Sequence, residues 1–210
     1  FIRDGKNIAL KITREKVAST VYGEMMGEIA YLQLYQFGSS TPEEVKSYMD
    51  DFENAKGLII DLRDNGGGYL DSVEGASSCF LDKGTTVMKQ EYADGTVHET
   101  VTKSDKYSNI QNIVILTNGN TASAAEVLTL ALKQQRNVTV VGTTTYGKGT
   151  VQVSKMFDDG SALKYTTSKW LSPDGTWVNG VGITPDQEVK LHDVFYRSFS
   201  NMEDDESFRV

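Results

Sequence analysis

Ile113-Val-Ile-Leu-Thr-Asn-Gly-Asn-Thr-Ala-Ser-Ala-Ala-Glu-Val127 changes character twice in fifteen residues. It opens as a continuous apolar run, the pattern of a strand buried on both faces. Asn118-Gly119-Asn120 is turn chemistry. From Thr121 to Lys133 the composition is dominated by good helix formers. A second apolar run, Val138 to Val141, follows that helix. Strand, helix and strand in this order imply an α/β fold with a right-handed crossover.

The helix start carries the first chemical hint. Thr121 reads as the N-cap, with Ser123 at about the second helical position. A hydroxyl there lies beside unpaired backbone N–H groups and the positive end of the helix dipole, which together stabilise an oxyanion. Serines are common at helix starts, so position alone does not make Ser123 a nucleophile. It also needs a base. The chain has two histidines, His98 and His192, and neither sits in a Ser-His setting. Lys148, 25 residues on (148 − 123), lies between Gly147 and Gly149, which allow unusual backbone angles and close approach. A lysine ammonium, with a pKa near 10.4 in water, becomes an effective base only where burial disfavours its charge. Ser-Lys pairs are an established variant of the nucleophile-base arrangement.

Gly142-Thr-Thr-Thr-Tyr-Gly-Lys148 also matches most of a phosphate-binding loop. That motif requires Ser or Thr directly after the lysine and then a helix. Here Gly149 follows, and Thr150-Val-Gln-Val-Ser154 alternates like a strand. Nucleotide binding is therefore set aside.

Upstream, Gly57-Leu-Ile-Ile-Asp-Leu-Arg-Asp-Asn-Gly-Gly-Gly68 is a central strand ending in three glycines, which expose backbone N–H groups. Arg63 and Asp64 read as a structural pair near that loop. Thr-Ala-Ser123-Ala-Ala-Glu, Tyr-Gly-Lys148-Gly, Gln152 and this glycine-rich strand end, in this order, resemble the carboxyl-terminal processing (tail-specific) proteases, peptidase family S41. The resemblance runs from about residue 24 to 190. It implies a crotonase/ClpP-like ββα-spiral core with additional β-hairpins. It also implies Ser123 as nucleophile, Lys148 as general base and Gln152 as the group orienting the lysine. The Gly68 and Ala124 N–H groups would form the oxyanion hole. The expected activity is serine endopeptidase cleavage near a polypeptide's carboxyl terminus, without a cofactor. The substrate would be a polypeptide with an accessible C-terminus. Two other classes stay open: a catalytically silent peptide- or lipid-binding module of the same fold, and an acyl-CoA enzyme of the crotonase type.

The resemblance divides the chain into residues 1–21, a remnant of a PDZ-like segment and linker strand; 22–190, the protease core; and 191–210, a polar extension. Phe1 to Ile12 reads as a hairpin around Asp4-Gly5, and the carboxylate-binding loop of a PDZ domain has no counterpart here. Glu203-Asp-Asp-Glu206 reads as a solvated charged stretch. By the same analogy the parent protein is exported to the periplasm, cell surface or exterior. A homo-oligomer and a membrane anchor outside this chain are both compatible with it.

At 210 residues and 39% hydrophobic the chain can bury a real core. A net charge of −8 argues against nucleic-acid binding and against an anionic membrane surface. Cys79 reads as a small buried hydrophobe, and no metal-ligand spacing is present. Thr41-Pro-Glu-Glu44 reads as a capping box opening a helix through Val45, Tyr48, Met49 and Phe52. Thr85–Glu91 with Thr96–Thr102, and Val151–Phe157 with Ala162–Trp170, read as hairpins. In the second, Leu163, Tyr165 and Thr167 suit a strand edging a peptide groove.

Overall fold

A computed structural model describes residues 2–3, 6–7, 9, 11, 13, 19–104, 106 and 110–190. The charged stretch 203–206 lies outside them, as does Asp4-Gly5. The strands flanking that dipeptide, β1 (Ile2–Arg3) and β2 (Lys6–Asn7), pair antiparallel as a hairpin requires.

The main sheet is built from β3 (Val21–Met26), β4 (Ile29–Leu34), β5 (Gly57–Asp61), β8 (Asn112–Thr117), β9 (Thr139–Gly142) and β12 (Gln187–Glu188). Its order is β12-β9-β8-β5-β4-β3, parallel throughout except for the β3–β4 hairpin. Leu32, Ile60, Ile115 and Val140 sit side by side across four strands and are all fully buried. Burial of such aliphatic side chains, about 1.5–3 kcal/mol each, is what holds the register.

Three helices supply the crossovers: α1 (Thr41–Asp51), α2 (Leu70–Ser77) and α3 (Ala124–Arg136). Helix α2 packs between α1 and α3. The first nine residues of α3 are buried all round, because helix and sheet enclose them. Cys79 is buried, and that desolvation pushes its thiol up to about 12, which keeps it unreactive.

The Thr41 capping box does not form. Ser40 occupies the N-cap position, and the Glu44 carboxylate accepts instead from the Thr20 and Val21 N–H groups and the Ser19 hydroxyl. Helix α1 is thereby tied to the entry of β3, a tertiary contact that overrides the local motif.

A second, four-stranded antiparallel sheet has the order β10-β11-β6-β7, from β6 (Thr86–Tyr92), β7 (Val97–Val101), β10 (Thr150–Met156) and β11 (Ala162–Leu171). Strand β11 meets β6 only over Ser168–Leu171, so the outer half of the β10–β11 hairpin is a two-stranded arm. Strand β10, not β11, is an edge of the sheet, β7 being the other. The register of β10 with β11 shifts between Val151 and Gln152, where Thr167 of β11 is the extra residue of a β-bulge.

Candidate active site

Parallel strands send their connecting loops off one end of the sheet, and clefts form where those loops meet. Here three neighbouring strands do so. The loop after β5 carries Gly66–Gly68, the loop after β8 carries Ser123, and the loop after β9 carries Lys148. Sites 57–68, 112–124 and 139–149 are thus brought together by strand order alone.

Ser123 itself caps α3, not Thr121. Its backbone is at φ 57, ψ −119, outside the region a non-glycine residue normally occupies. Such a conformation costs of order 1–3 kcal/mol and persists only where its surroundings impose it. Thr121 is one of those surroundings. Fully buried, its hydroxyl donates to the Leu62 carbonyl at 2.7 Å and accepts from the Asn118 N–H at 3.0 Å. The Ala122 N–H donates to Asn65 O at 2.9 Å, which stitches the β8 loop to the β5 loop.

Asp64 completes this seam. It does not pair with Arg63. Its carboxylate accepts from the side-chain amides of Asn118 (2.9 Å) and Asn120 (2.8 Å), which hold its pKa below the usual carboxylate range. Arg63 folds back onto fully buried Asp61, with Nη2–Oδ2 at 2.6 Å, and Tyr31 donates to the same carboxylate at 2.7 Å. Desolvation first, and the Asp61 hydrogen bond next, push the Tyr31 phenol up to about 12.

The glycines are required by contact. A Cβ on Gly67 (φ 98) would lie 2.8 Å from both Ala122 O and Ser123 Cβ, and 2.9 Å from Ala124 N. One on Gly68 (φ 152) would lie 2.1 Å from Phe37 O. The loop after β5 therefore presses directly on the Ser123 turn. Neither the Gly68 nor the Ala124 N–H donates to another group among the described residues.

Glu126 joins the serine helix to the lysine loop. Fully buried, it accepts four hydrogen bonds: from Ser123 N–H (2.8 Å), Lys148 N–H (2.9 Å), Gly147 N–H (2.7 Å) and the Thr145 hydroxyl (2.5 Å). Lys148 is held from its other side by Trp170, whose indole N–H donates to the Lys148 carbonyl at 2.6 Å. The segment ending at Asp186 backs the loop. Gly180 N–H donates to Gly147 O, and Gly149 N–H donates to the Asn179 side chain. A Cβ on Gly147 would lie 2.6 Å from Gly182 N.

Ser123, Lys148, Gln152 and Gly68 line one open cavity of about 720 Å³. Ser123 and Lys148 are half-buried, and Gln152 is exposed on the cavity side of β10. Ala124 is fully buried behind Ser123. The structure therefore gathers the sequence-predicted residues around one space. It differs from the reading of the groove edge: Thr150, Val151, Gln152 and Ser154 of β10 line the cavity, while Leu163, Tyr165 and Thr167 of β11 do not. His98 is an exposed hairpin residue edge-on to Tyr92 and is not among the residues lining this cavity.

Sequence reasoning missed Glu126, Trp170 and the Asp64–Asn pairs. For Glu126 a signal was available: it lies three residues after Ser123, the spacing at which a carboxylate reaches back to an N-cap N–H. Trp170, 22 residues from Lys148, had no local signature.

The order of strands and the loops meeting at their ends define an α/β core of the ββα-spiral class. The profile of Peptidase family S41 matches residues 28–189. Carboxy-terminal processing protease CtpA of Bacillus subtilis (strain 168) is 39% identical over 208 residues, covering 97% of this chain and 44% of that protein. The probable CtpA-like serine protease of Staphylococcus aureus (strain N315) is 38% identical over 205 residues, covering 96% of this chain and 41% of that protein. Among solved structures, the photosystem II D1 C-terminal processing protease aligns with a TM-score of 0.74 at 26% identity, over 85% of this chain and 50% of that one. The chain belongs to peptidase family S41. It spans less than half the length of these two curated relatives.

Proposed function

We propose that this chain carries the catalytic core of a serine endopeptidase that cleaves polypeptides near their carboxyl terminus. One observation supports this above the rest: Ser123, strained at a helix entrance, shares a cavity with Lys148, Gln152 and Gly68. Lys148 in its amine form takes the Ser123 proton as the hydroxyl oxygen attacks the scissile carbonyl. The Gly68 and Ala124 N–H groups receive the oxyanion that develops. The lysine then returns the proton to the leaving amine, and water attacks the acyl-enzyme by the same route in reverse. Gln152 orients the lysine. Strand β10, as an edge strand, offers backbone groups for an extended substrate to pair with.

The same reading assigns residues 22–190 to the protease core and 1–21 to a PDZ-like segment and linker strand, and has the parent protein exported to the periplasm, cell surface or exterior. Among the described residues no helix is long and apolar enough to cross a membrane. A passive peptide- or lipid-binding module has no use for a strained serine that shares a cavity with a lysine, so that alternative is the weaker one.

Cleavage of an unstructured polypeptide by the parent, Ser123→Ala and Lys148→Ala chains tests the assignment. Both variants should lose turnover while retaining the parent's circular dichroism and unfolding midpoint. Parental cleavage rates in either variant would sink it.

A further inference from the structure

The cavity is electrically uneven. Its α2 wall carries Asp71, in the first turn of that helix. Its β10–β11 wall carries Lys164 beside Gln152 and Ser154. Ser154 and Lys164 are register partners, and Gln152 pairs with Thr166, so these side chains share one face of the hairpin. Ser154 stands two residues beyond Gln152, about 7 Å along the strand. Lys164 therefore sits one same-face step outward from the residue assigned to orient Lys148. It makes no ion pair among the described residues, whereas Lys89, Lys103, Lys133 and Lys169 each hold a carboxylate.

Building on the protease reading above, we propose that Lys164 reads a carboxylate on the bound polypeptide, displaced from the scissile bond by a few residues. In an extended chain, side chains return to the same face every two residues, about 7 Å apart, which matches the Gln152-to-Ser154 step. With the reacting bond at Ser123, a segment running along β10 brings its next same-face group, or its terminus, to Lys164. The Asp71 wall repels the same charge, so the pair gives the substrate a direction. In a chain of net charge −8, this local cation also offsets the general repulsion of acidic polypeptides. The carboxylate is either the α-carboxylate of a short tail or an Asp or Glu side chain; the chemistry at Lys164 is the same.

Binding of fluorescent peptides to the Ser123→Ala chain, read by anisotropy, separates this from the catalytic reading, because no turnover is needed. One peptide pair ends in a free carboxylate or an amide; a second pair, amidated, carries Glu or Gln at an internal position. One charged member should bind about two- to fivefold tighter than its neutral twin, the range of an exposed ion pair, and which pair responds identifies the source. In the Ser123→Ala background, Lys164→Gln should equalise the twins, Lys164→Arg should keep the preference, and Lys164→Glu should invert it. Rising salt should erase it. Equal binding of both twins in both pairs, or a preference that survives Lys164→Gln, overturns the proposal. Failure of the parent chain to cleave any peptide would count against the Ser-Lys reading alone and leave the binding result to stand.

Discussion

Replacing Glu126 by Gln keeps the side chain's shape and removes its charge, so it isolates the carboxylate's role as a clamp. Each carboxylate oxygen accepts two donors: Oε2 from the Ser123 and Lys148 N–H groups, Oε1 from the Gly147 N–H and Thr145 hydroxyl. An amide has one acceptor oxygen. With its NH2 toward Ser123 and Lys148, two backbone donors face a donor. With its NH2 toward Thr145, that hydroxyl, which already takes the Ile183 N–H, accepts a second bond but loses the acceptor of its own proton, and one backbone donor, the Gly147 N–H, is stranded. The second orientation should win. It loses charge assistance throughout and one backbone bond outright, at about 1.5–3 kcal/mol for a bond to a charged group. A total near 3 kcal/mol lowers the midpoint of a chain this size by roughly 6–12 °C. Glu126 does not line the cavity, so KM should change little. The loop carrying Lys148 is loosened, and a displacement of about 1 Å at a reacting group can cost on the order of 100-fold. Thermal unfolding and peptide cleavage at a temperature where the variant is fully folded measure both effects. A Glu126→Gln chain with parental midpoint and parental kcat would refute the clamp.

Gly67→Ala should abolish cleavage, because its Cβ would collide with the Ser123 turn at 2.8 Å and with the Ala124 N–H at 2.9 Å; unchanged kcat/KM would contradict that packing. Trp170→Phe removes the donor to the Lys148 carbonyl from a buried site and should lower kcat more than it raises KM, as steady-state kinetics would report. Asp174 is held down to about 2, chiefly by the Ser172 hydroxyl and also by the Thr176 N–H. A depressed carboxylate contributes stability above its unfolded pKa of about 3.9, and that contribution fades as pH falls toward the folded value. The midpoint difference between the parent and Asp174→Asn should therefore be constant above about pH 5 and shrink steadily toward pH 2. A difference independent of pH would disprove the assignment.

Much of the fold was legible in short windows. Ile113 to Leu116, the glycines after Arg63 and the alternation in both hairpins each report a backbone state that a few neighbouring residues decide. Most expected strands and helices accordingly appear within a residue or two of their observed bounds. Ser123, Lys148, Gln152 and Gly68 were legible as well, by resemblance of motif, and one cavity receives all four. Expectations broke where a side chain had two possible partners, one local and one distant. Glu44 leaves its own helix start for Thr20 and Val21, and Arg63 turns to Asp61 while Asp64 reaches Asn118 and Asn120.

Local backbone preference, which is additive over adjacent residues, is what the sequence by itself determined here, together with the residue types that line the candidate site. Tertiary structure alone decided which residues meet. The order β9-β8-β5 places three loops at one sheet end, and only then can a buried carboxylate at Glu126 accept from residues 19 to 22 positions away. The local donor, the Ser123 N–H three residues back, is kept as well; no window of sequence contains the burial and loop placement that add the three distant ones.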